Sequence, residues 1–346
     1  MAVKANSHQQ FKLLDEQRLT EYITGLVWSN DGALAVITAG GELALWQDGK
    51  FDLLVTADNS SLSCVGFSHD AQYLAIAGQK GEVQIWRLNK AGSYELTATT
   101  QTGKAWIDSL RWHPTQNLLA YGINRQVAIW DADNQTEISR LDFVDSSIFA
   151  LAWRPQGDLL AASGHGGAKI WQLEDLSKEP EILELPGASL DCAWSVDGSY
   201  LASGNLDRTV SVLHWGDPPP WLMQGFPGKV SQVAWSSKGQ KDFLAATCQE
   251  GIAVWQRKGD NWHQYVLNHE KSIKAIAFDR DFLLASAGAD NYIQLWLGKK
   301  LVQSLKGASS GFSSVAWHPQ GKYLAAGGND GELLVWQRSN SGKGFG

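Results

Sequence analysis

The chain has 346 residues, of which 19% are charged and 44% hydrophobic, and 36 acidic against 29 basic side chains give a formal net charge of −7. That balance argues against the broad positive surface on which nucleic-acid binding depends. No apolar run approaches the roughly 18 residues that a membrane-spanning helix needs.

In chain order, a tail over residues 1–9 precedes an orphan strand-like run, Gln10 to Glu16. The first full unit follows: Leu26-Val27-Trp28, a Ser-Asn-Asp-Gly turn, Ala33 to Val36, a Gly40-Gly41 turn, Leu43 to Trp46, and then Phe51 to Thr56. Asn, Asp and Gly tolerate positive φ and let antiparallel strands reverse, so the unit reads as four short strands. It recurs with a period near 41 residues. Opening aromatics stand at Trp28, Phe67, Trp112, Trp153, Trp194, Trp235, Phe278 and Trp317. Closing tryptophans stand at Trp46, Trp86, Trp130, Trp171, Trp255, Trp296 and Trp336, with an irregular fifth copy ending around Leu213 to Trp215. Further fourth strands are read at Glu181 to Leu185 and Leu301 to Leu305.

One such unit cannot bury its own face and is stable only when neighbours stack on it. No stretch keeps a helical period. Repeated four-stranded units without helices predict an all-β, single-ring β-propeller spanning residues 10–338. After Trp336 the residues are too polar and glycine-rich for a fourth strand, and 339–346 read as a flexible tail. The run from Gln10 is therefore expected to supply the missing strand and close the ring, leaving no open sheet edge. Eight four-stranded blades follow, or seven if the fifth copy is incomplete.

Cys64, Cys192 and Cys248 are odd in number and lie in strand-like runs. They are expected as buried reduced thiols in a cytoplasmic protein rather than as disulfides. Residues 1–8 do not read as a signal peptide, and the sequons at Asn59 and Asn134 are then chance occurrences. No metal or cofactor is expected, since the sequence holds no phosphate-cradling loop, HExxH, GxSxG or CxxC. His69, His113 and His318 sit in equivalent turns around one rim, too dispersed to converge on a metal, and read as structural.

The pattern resembles the WD-repeat β-propellers across essentially the whole length. That resemblance implies that a His before the first strand and an Asp before the third bond with the closing Trp. His269 and Asp290 hold those positions around Trp296, Asp207 and Asp330 hold the Asp position alone, and Gly40, Lys80, Asn124, His165 and Gln249 depart from it. Only Trp130-Asp131 spells the dipeptide that names the family. The resemblance also implies a binding face built from loops entering the first strand and turns before the third.

Four and six places before the opening aromatics, most blades carry small or polar residues, such as Ser61, Ser63 and Ser313. Blades three to five instead carry Trp106 with Asp108, Phe149, and Leu190, and their neighbouring turns add Arg125, His165 and Leu206; Tyr22 on blade one is a weaker member. An exposed apolar cluster of this kind would anchor a protein or peptide, whereas Trp106 or Phe149 folded between blades would be core. A second candidate is the segment His214 to Trp221, with three prolines between tryptophans, read as a longer loop replacing the usual connection to the fourth strand. The favoured function is a non-enzymatic interaction scaffold. The alternative is an enzyme or cofactor-binding propeller with His165, Arg125 and Asp108 at the channel mouth.

Overall fold

The computed structural model describes residues 11–103, 105–185, 187–238, 241–258 and 261–339. Within them the chain forms eight four-stranded antiparallel sheets and no helix. Seven sheets are consecutive in sequence. The eighth takes three strands from Phe312–Trp317, Tyr323–Gly328 and Glu332–Arg338 and its outer strand from Phe11–Arg18, paired antiparallel to Glu332–Arg338. The fifth repeat is a complete blade, so the seven-blade alternative is excluded.

Eight apolar clusters hold the sheets together, each joining two neighbouring blades. Blade eight packs on blade one through Tyr323, Val335, Trp28 and Trp46, which closes the ring. Second strands such as Leu118–Ile123 and Leu159–Gly164 are buried at every residue. A neighbouring blade covers each of their faces, so they read as continuous apolar runs. Fourth strands lie on the perimeter and are largely exposed, as in Tyr94–Gln101.

Hydrogen bonds repeat between blades with the same period. The indole N–H of each opening tryptophan donates to a carbonyl of the preceding blade: Trp28 to Ala316, Trp112 to Gly66, Trp153 to Arg111, Trp194 to Ala152, Trp235 to Ala193 and Trp317 to Ala277, at 2.8–3.2 Å. The two remaining blades open on Phe67 and Phe278, which have no such donor. In the turns that follow the opening tryptophans, His113 Nε2 lies 2.8 Å from Gly157 O of the next blade, and its Nδ1 accepts the amides of Thr115 and Gln116. A Cβ at Gly157 would stand 2.4 Å from the His113 ring. Arg154 Nε makes the equivalent bond to Gly198 O. His318 Nδ1 accepts the Gln320 amide, and its ring abuts Trp28 of blade one. His113 and His318 are thus blade-to-blade contacts.

The polar network is complete in blade seven. His269 Nδ1 bonds Asp290 at 2.9 Å, His269 Nε2 bonds Ser286 at 2.7 Å, and Trp296 Nε1 donates to Ser286 at 2.9 Å. Elsewhere other residues substitute. Glu42 accepts from Thr20, Glu332 accepts from Ser309, and Trp46 Nε1 finds Asp15 of the N-terminal strand. In blade five Leu213 takes the closing-tryptophan register opposite Leu201, and Ser203 bonds Ser189 and Asn205 instead. The closing indoles of Trp86 and Trp130 have no acceptor among the described residues.

The proline-rich segment corrects the sequence reading. It is no extended loop: Asp217–Met223 is itself the fourth strand of blade five, with Trp221 paired to Val212 and Asp217 to His214. Prolines are tolerated there because an outer strand needs no amides on its free edge. Trp215 packs on Trp194, and Trp221 on Tyr200 and Trp262.

Candidate functional site

In five of the eight blades a β-bulge falls at the position four places before the opening aromatic. In blades one, two, five, seven and eight the register slips at Thr24, Ser63, Leu190, Lys274 and Ser313, the unpaired extra residue in each first strand. Such a residue is re-aimed out of the pleat. Hydroxyls there latch the next blade: Thr24 donates to Leu62 O and Ser313 to Ile23 O. Blades three to five have no hydroxyl at the position.

Trp106 is 52% exposed, and its indole N–H donates to Ser63 of blade two at 2.7 Å. Asp108 also bonds Ser63, and burial beside it raises the carboxyl above the ordinary carboxylate value. Phe149 is 36% exposed and stands edge-on to the His165 ring at 5.7 Å; the His165 amide is held by Ser146. Leu206 is exposed at its turn, Leu190 is half-buried, and exposed Tyr22 stands apart, with blade two between it and the others. Neither large ring is folded between blades.

Sequence spacing missed Val144, the most exposed apolar residue of this group at 58%. Its φ of +75° is in the left-handed region, costly for a β-branched residue. Arg125 holds it at both ends, its carbonyl accepting the Val144 amide and its guanidinium donating to Val144 O at 3.2 Å. Together with Asn124, Asp142 and Ser147 these two residues line an open depression. The available signal was the density of apolar residues in the inter-blade connection, Phe143, Val144, Ile148 and Phe149 among seven positions. Spacing from the aromatics does not reach it.

The channel pair is a second omission. Arg111 stands one place before its opening aromatic, where the other blades have Val27, Gly66, Ala152, Ala193, Ala234, Ala277 and Ala316. Its charge acts on Asp191 and on the Cys64 and Cys192 thiols. Asp191 accepts the Val233 amide at 2.9 Å, and enclosure by the ring pushes its carboxyl up to about 6. All three cysteines are buried and unpaired.

Asp108, Arg125 and His165 do not converge. Each has its own partner, and no hydrogen bond joins them among the described residues. The described residues also contain no cluster of three or more metal-ligating side chains, and no helix long and apolar enough to cross a membrane.

Comparison with known proteins places this architecture. The WD domain, G-beta repeat model matches residues 139–172, 182–213, 262–296 and 299–337, and that of the anaphase-promoting complex subunit 4 WD40 domain matches 65–154. Telomerase protein component 1 of Mus musculus is 25% identical over 336 residues, covering 91% of this chain and 12% of its own. Protein hir1 of Schizosaccharomyces pombe is 26% identical over 181 residues, 42% of this chain and 19% of its own. Actin-interacting protein 1 of Caenorhabditis elegans is 27% identical over 243 residues, 69% of this chain and 33% of its own. The chain thus spans a third or less of the length of these relatives. With a closed ring of eight antiparallel blades, opening aromatics in register on every blade and repeat models matching blades two to five, seven and eight, the chain belongs to the WD-repeat family.

Proposed function

We propose that the chain is a non-enzymatic scaffold that binds a protein or peptide on the face carrying Trp106, Val144, Phe149 and Leu206. The observation that carries this is local. Three neighbouring blades expose large apolar side chains at loop and turn positions where most others place polar groups. Exposed aromatic and aliphatic anchors beside Arg125 have the composition of an interface centre. Family membership supports the reading at a coarser level, since WD-repeat propellers typically act as interaction platforms; fold alone does not name a partner. Buried, unpaired thiols suit a reducing compartment such as the cytoplasm.

The test is site-specific photo-crosslinking, with a benzophenone amino acid placed at Phe149 and, as control, at Ile182 on the perimeter of the same blade. Protein adducts at position 149 and none at 182 are expected. Equal adducts at both positions would reject this face.

A further inference from the structure

We propose a second contact point, a cleft on blade six that accepts an arginine side chain of a partner polypeptide. The loop over 224–227, the turn over 248–251 and the outer strand Asn261–Asn268 enclose a cleft of about 220 Å³. Its origin lies in strand alternation. Trp262, Gln264, Val266 and Asn268 share one face of that strand. Blade five covers Trp262, which packs with Tyr200 and Trp235. Further along, that cover ends: Val266 is 56% exposed and Gln264 and Asn268 are exposed.

Phe226 and Val266 form apolar walls, and Gln249, Gln264 and Asn268 contribute neutral amides. Among the described residues Glu250 alone of those lining the cleft is formally charged, and none of the ion pairs among them engages it. A complementary group needs an aliphatic stem to lie along Phe226 and Val266 and a cationic head that donates to several oxygens at once. Arginine supplies both, with a planar fork of five N–H donors; lysine offers a compact point charge. The net charge of −7 favours the approach of a basic partner over longer range. The cleft opens on the same face as Trp106 but shares no residue with that surface, so it stands or falls separately.

The experiment titrates the full chain with the capped tripeptide Gly-Arg-Gly while following the methyl resonances of Val266 and Ala253 by NMR. Saturable shifts of those methyls are expected, weakened about tenfold or more in Glu250→Gln, which removes a charge-assisted bond. The matching citrulline and lysine tripeptides should bind far more weakly. Chain carrying Trp106→Ala and Phe149→Ala should titrate like the wild type. Unchanged affinity in Glu250→Gln, equal binding of citrulline or lysine, or shifts confined to methyls outside the cleft would overturn the proposal.

Discussion

Asp191 is the residue at which a charge inside the ring has a measurable consequence. Its carboxyl titrates near 6 in the folded chain against an ordinary value of 3.8. Folding therefore favours the protonated acid. Below about pH 4 both states are protonated and nothing is lost; between 4 and 6 the unfolded chain ionises first, and above 6 the full penalty, of order 2 kcal/mol, is in place. The turn histidines act with the opposite sign. Burial holds His113 and His318 below the ordinary 6.5, so their contribution is present at neutral pH and lost as pH falls below that value. For His113 the cause is visible: a proton on Nδ1 would face the two amides it now accepts. The difference between wild type and Asp191→Asn isolates the first effect, because the amide oxygen can still accept from Val233. Urea unfolding should find Asp191→Asn more stable by about 1–2 kcal/mol at pH 7.5, with the gap closing by pH 4. A gap of the same size at both pH values would show that Asp191 ionisation is not its source.

At the scale of the strand and blade, the closing tryptophans make a matched pair of predictions. Trp296 anchors the relay through Ser286 and His269 to Asp290, so Trp296→Phe leaves a buried hydroxyl without its donor. It should cost about 1–2 kcal/mol. Trp86 has no acceptor among the described residues, and Trp86→Phe should be within about 0.5 kcal/mol of neutral or slightly stabilising. Chemical denaturation of both variants checks this; equal losses would contradict it. Strand positions were legible in the sequence because a neighbour covers both faces of each second strand and aromatics recur in register with them. The eighth blade, split between the two ends of the chain, was legible for the same reason: one strand was missing and one was left over. Asp217–Met223 was misread because three prolines look like a loop until the strand is known to be an edge. Val144 and Arg111 went unseen, since a loop conformation and a channel position leave no periodic trace. Of the candidate face, spacing from the opening aromatics located Phe149 and Trp106, but it could not tell that Trp106 leans on blade two.

For the whole molecule, closure is the property on which stability rests. The strand Phe11–Arg18 completes blade eight, buries Phe11 against Trp317 and joins blade one through Asp15 and Trp46. Removing residues 1–18 bares the edge of Glu332–Arg338, a template for pairing with another chain. Lower melting temperature and aggregation on size exclusion are expected, and an unchanged monomer would contradict that view. The rigid ring in turn fixes the loops of blades three to five beside one another, so that short exposed segments present one surface. The most direct test of that surface is an affinity pull-down from native lysate read by mass spectrometry, comparing wild type, Trp106→Ala/Phe149→Ala, and the perimeter control Ile182→Ala/Leu301→Ala. The scaffold account predicts a protein partner retained by wild type and the control and lost from the face variant. A partner retained equally by all three would contradict it.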